Sequence, residues 1–153
     1  MKNYILLISI CSLLFSCGIK KEVYILPNGY QGKVCVFYNQ PFNKGETTRN
    51  GSVMTYYVPK DGIIFLNKEP RDITDLEFYY VDNNRTIDLT FSYDELSDKT
   101  VIYGGRKGWL TLPDNKEILY YSFYVGNKKT IDSINEINSE EFLKAKYYSV
   151  KKN

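Results

Sequence analysis

The stretch 53-VMTYYVPKDGIIFLN-67 decides how the rest of the chain is read. Two runs rich in Val, Tyr, Ile and Phe flank Pro59-Lys60-Asp61-Gly62. Such runs favour extended backbone, because β-branched and aromatic side chains fit a pleated surface. Proline presets φ at the first corner of a turn, and glycine accepts the left-handed conformation that closes a type I turn with a bulge. The stretch therefore predicts two strands joined as a hairpin, with Gly62 at positive φ.

The same composition recurs on both sides. The segments EVYIL, GKVCVFYN, DLEFYYV, RTIDLTF, TVIYG, GWLTL and ILYYSFYV read as further strands separated by turn residues. In 82-DNNRTID-88 the side-chain oxygens are spaced as at the start of a calcium loop. However, Ile87 stands where the loop needs glycine and Tyr93 where it needs glutamate. Asp82-Asn83-Asn84-Arg85 reads instead as a tight turn. Ser92 and Glu95 have capping-box spacing for a single helical turn. Near the end, Asn138 and Glu141 are spaced as a helix start, with Leu143, Tyr147 and Val150 near one face. A last strand over KYYSV is the alternative. Short strands at close spacing predict a mainly β fold, a single antiparallel β-sandwich or open barrel with a short C-terminal helix.

The beginning of the chain is different in kind. Lys2 precedes an apolar run, Tyr4 to Phe15, that is too short to cross a bilayer, for which roughly 20 residues are needed. Its layout is that of a secretory signal. The run closes on Leu14-Phe15-Ser16-Cys17, which resembles the lipobox of bacterial lipoproteins. In that family the cysteine thiol receives a diacylglycerol, the signal is cut before it, and the new amino group is acylated. The resemblance implies a signal peptide over 1–16, a lipid-anchored tether over 17–21 and one β-rich domain over 22–153. Membrane lipid, held through Cys17, is then the first partner. Gly18 in place of an aspartate is compatible with the outer-membrane sorting rule, and Lys20-Lys21 does not resemble an acidic surface-display tag. The first favours the outer membrane and the second its periplasmic side. Cys11 leaves with the signal and Cys17 carries lipid, so Cys35 has no partner for a disulfide. Its setting in GKVCVFY predicts a buried, inert thiol.

Composition removes whole chemistries. The chain has no histidine, so no Ser-His-Asp, Cys-His or His-zinc site can be built. No cofactor is implied. Loss of the leader takes only Lys2 from twenty cations against eighteen acids, leaving a net charge of +1. That balance argues against a nucleic-acid partner. Carboxylate-only hydrolysis remains open, since glycosidases need just two opposed acids.

Two places could contact a ligand. The first is 104-GGRKGW-109, read as a flexible connection carrying Arg106, Lys107 and the single tryptophan, Trp109. The competing reading starts a strand at Trp109 and turns its ring into the core. The second is Tyr30 in 26-LPNGYQGKV-34, where the glycines permit a tight strand entry and the corner could present the ring. This segment, together with YVPKDGI at 57–63, FYYVD at 78–82 and FYVG at 123–126, resembles a family of bacterial exported domains of unknown function. That resemblance implies a shared fold and brings no catalytic residues. Two function classes follow: a lipid-anchored β domain that binds an envelope protein or glycan, and a carboxylate-dependent hydrolase of envelope polymers. For the anchor, a fatty-acid analogue should label the wild-type chain and fail to label Cys17→Ala; equal labelling of both would end the lipobox reading.

Overall fold

The computed structural model describes residues 20–71, 75–82, 85–90, 98–131 and 140–151. Leu14 to Cys17, Asn83-Asn84, Ser92, Glu95 and Asn138 lie outside them. The strands are β1 (Lys21–Pro27), β2 (Gly32–Phe37), β3 (Glu46–Asn50), β4 (Val53–Tyr57), β5 (Ile63–Phe65), β6 (Asp75–Asp82), β7 (Arg85–Asp88), β8 (Val101–Thr111) and β9 (Glu117–Gly126). A short helix, α1 (Lys128–Ile131), and a longer one, α2 (Glu140–Lys151), follow.

The strands form two mixed sheets, ordered β3-β4-β1-β6-β7 and β5-β2-β9-β8. One core lies between them. Tyr24, Tyr56 and Phe78 of the first sheet meet Val34, Tyr121 and Phe123 of the second, and the Tyr24 and Phe123 rings stand edge to face at 5.1 Å. A second core lies on the far side of the four-stranded sheet, where Cys35, Phe37, Phe65 and Leu110 pack under Leu143 and Tyr147 of α2. Val34 and Val36 face one core while Cys35 and Phe37 face the other, so β2 is buried on both faces. The expected C-terminal helix is present. Tyr147 Oη donates to Gln40 Oε1 at 3.0 Å, and the Phe142 ring lies between Lys33 and Lys146, at 5.7 and 5.6 Å.

The antiparallel expectation holds only in part. β1 pairs in parallel with both β4 and β6, and β2 pairs in parallel with β5. Parallel neighbours need a crossover, usually a helix. Here the crossover is a visit to the other sheet. Residues 59–62 form the expected turn, with Gly62 N donating to Pro59 O at 2.9 Å and φ of +73° at Gly62. The turn does not make a hairpin, because β4 joins one sheet and β5 the other. Burial explains the parting. VMTYY alternates and suits a sheet covered on one face, whereas IIF is buried throughout and suits a sheet covered on both.

Tyr30 fills the corner where two of these crossings meet. Its hydroxyl donates to Lys33 O at 2.9 Å, and its own carbonyl accepts from Tyr80 Oη. A Cβ on Gly62 would collide with Tyr30 Oη and lie 2.5 Å from Lys33 O. We therefore expect Gly62→Ala to cost roughly 1–3 kcal/mol, from φ and contact together. Thermal melts should show the loss persisting in a Tyr30→Phe background, because the Lys33 carbonyl still blocks the site. A melting temperature restored by Tyr30→Phe would place the conflict in the hydroxyl alone.

Candidate functional site: a groove between the edge strand and the C-terminal helix

The 104-GGRKGW-109 segment is no connection between strands; it lies inside β8, an edge strand. Tyr103 pairs with Tyr124 and Arg106 with Ser122, so Gly104 and Gly105 together oppose Phe123. That is a β-bulge, and Gly104 supplies its left-handed residue at φ +59°. Beyond the bulge Gly108 pairs with Tyr120, whose hydroxyl would stand 3.1 Å from a Cβ at Gly108. The missing side chain lets the tyrosine lie close against the strand.

Alternation then fixes the next residues. Leu110 and Leu112 are buried, which leaves Trp109 on the open side, 62% exposed. The expectation that Trp109 turns into the core is overturned: the two leucines take the inward phase, and the edge position leaves the indole uncovered. Arg106, Trp109, Leu110 and Tyr120 of the sheet, with Glu140 and Leu143 of α2, line a small, shallow groove of about 90 Å³. The charged Arg106 and Glu140 share it with apolar and aromatic side chains, and polar atoms dominate its exposed lining. Lys144 Nζ pairs with Glu140 at 2.8 Å, one turn along α2. Lys107 is exposed but is not part of the lining, and neither is Tyr30, whose ring packs on the inter-sheet core. The structure thus unites Arg106 and Trp109 and separates Lys107 and Tyr30 from them.

A second polar feature is buried. Glu22, 1% exposed, accepts from Tyr24 Oη at 3.0 Å and from Tyr56 Oη at 2.8 Å. Burial raises its carboxyl above the ordinary 4.5, opposed by those two hydroxyls and by Arg71 and Lys68. Among the described residues the charged groups acting on it most are the cations Arg71 and Lys68, rather than an opposed carboxylate of the kind hydrolysis requires. The other displaced acids are held low. At Asp61 burial pushes upward and is outweighed by hydrogen bonds from Lys44 Nζ (2.5 Å) and Ile63 N. Glu77 is lowered by its hydrogen bond from Lys21, then by Tyr79. Cys35 is buried, its thiol pushed up to about 11 by desolvation, as its apolar setting led us to expect. Among the described residues no three His, Cys, Asp or Glu side chains cluster as a metal site would require.

Residues 19–134 match a family of unknown function, DUF6843. The chain belongs to this family. A crystal structure of a "Putative Lipoprotein from Bacillus anthracis" is similar to this DUF6843 chain at 17% identity, over 69% of each chain, with a TM-score of 0.49. No curated protein matches it.

Glu22 gives this DUF6843 fold a pH signature. The folded state holds the Glu22 proton more tightly than the unfolded chain, so stability rises as pH falls through the folded value toward 4.5. Above that window the buried carboxylate is a net cost. Calorimetric melts between neutral pH and 4.5 should show this rise in the wild type and a flatter profile in Glu22→Gln. Parallel profiles would remove Glu22 as the titrating group.

Proposed function

We propose that this chain is a lipid-anchored cell-envelope protein whose β domain binds a partner without chemistry, through the groove between β8 and α2. The anchor rests on Leu14-Phe15-Ser16-Cys17 after the short apolar leader. Outer-membrane attachment facing the periplasm is the placement that Gly18 and Lys20-Lys21 favour.

One observation carries the binding reading: the single tryptophan is exposed at the rim of a groove that also presents Arg106 and Glu140. An indole offers a large contact area at low entropic cost, and a guanidinium offers a planar donor fork. An envelope protein or a glycan suits that combination. The hydrolase alternative would need a pair of acids across a cleft, and Glu140 is the only carboxylate among the described lining residues.

The test uses the chain's own fluorophore. Trp109 should emit near the wavelength of indole in water and be quenched readily by iodide. Tagged chain drawn from solubilised native membranes should retain its partner. Trp109→Ala with Arg106→Ala should lose it while the melting temperature moves by no more than about 2 °C, as for other surface changes. Retention of the same partner by the double variant would exclude the groove.

A further inference from the structure

Resting on the anchored reading above, we infer that the β1 end of the five-stranded sheet sits on the lipid headgroups, with the Asn50–Val53 hairpin as its contact. The geometry starts from register. β1, β4 and β6 run in parallel, and Lys21 is level with both Val53 and Asp75. The hairpin that joins β3 to β4 therefore stands beside the start of β1. It is braced there: Ser52 O accepts from Lys21 N at 3.3 Å and from Arg71 Nη2 at 2.9 Å, and Gly51 O accepts from Arg49 Nε at 3.2 Å.

The chain between Cys17 and Lys21 sets the distance. Four residues fully extended reach at most about 14 Å. An acylated cysteine starts at the hydrocarbon boundary, and the headgroup layer takes up roughly 5–8 Å of that reach. The start of β1 is then held within about 10 Å of the membrane surface. The Pro59–Gly62 turn, at the other end of β4, stands about 20 Å further out.

Charge agrees with this placement. Among the described residues, Asp75 and Glu77 at this end are engaged by Lys21, the former at 3.6 Å. Arg49, by contrast, is exposed and donates to Gly51 O, while Arg71 donates to Ser52 O, acts on the Glu22 carboxyl and keeps its Nη1 buried. One exposed guanidinium, Arg49, beside a braced loop fits a layer of phosphate headgroups.

The experiment uses the full chain in phosphatidylethanolamine–phosphatidylglycerol vesicles that carry nitroxide-labelled headgroups. A fluorophore is attached at Ser52→Cys or at Lys60→Cys, both exposed positions. Cys35 is buried and does not compete for the label, and Cys11 leaves with the signal. The Ser52 probe should be quenched several-fold more strongly than the Lys60 probe. Equal quenching, or stronger quenching at Lys60, overturns the orientation and leaves the anchor standing. Mass spectrometry of the same preparation reports acyl chains at Cys17, and their absence sinks the anchored reading and the orientation with it.

Discussion

Two chain reversals, at residues 28–31 and 59–62, meet at one end of the molecule, and the Tyr30 side chain is the part they share. The first reversal carries the chain from β1 to β2, the second from β4 to β5. Val58 N donates to Ile25 O and Cys35 N to Gly62 O, both at 2.8 Å, so each crossing is tied to the strand of the other. The parallel pairings β1–β4 and β2–β5 are set together by this one corner. The inter-sheet core depends on it, because the strands that supply Tyr24, Val34, Tyr56 and Ile64 all enter or leave there.

The second layer touches that corner, through Lys146 Nζ on Asp61 O at 3.4 Å, and shapes the surface. Covering the four-stranded sheet with α2 creates a core on its outer face, where Leu143 and Tyr147 pack with Leu110 of the edge strand. The groove is what remains between helix and edge. Its aromatic floor is available because a glycine stands opposite Tyr120, and its indole is available because the edge strand has no neighbour to cover it. The bulge and the cations of β8 also discourage pairing with a further strand. Side-chain contact, rather than strand addition, is what this edge offers.

Much of this was legible in the residues. The turn at Pro59–Gly62, the glycine's positive φ, the buried Cys35 and the C-terminal helix all follow from local chemistry. The phase of Trp109 was legible too: Leu110 and Leu112 form the apolar alternate and claim the inward side. Glu22 shares its phase with Tyr24 and Leu26, which marks it as an inward acid. Other features leave no local trace. β3 reads ETTRN, a polar edge strand with no apolar alternation, and it was missed. The Gly104-Gly105 pair looks like a loop because a bulge and a loop need the same permissive backbone. Glu140 and Leu143 reach the groove from a distant part of the chain, and no spacing rule joins them to Arg106. The choice between hairpin and crossing depends on which face of each strand is covered, a property of the partner sheet as much as of the strand.

β1 has a mechanical consequence as well. It is flanked on both sides by strands running in its own direction, and under the proposed anchor its first residue is the one nearest the tether. Tension between the membrane and a load bound elsewhere on the domain would act along the strand axis. Both ladders would then be loaded in shear, with their hydrogen bonds sharing the force rather than opening one at a time. Extraction of β1 would also have to undo the Lys21 ion pairs and the Tyr56 hydroxyl on Glu22. Under the proposed anchor, the strand that first takes the load is thus one held along its length by a parallel neighbour on each side.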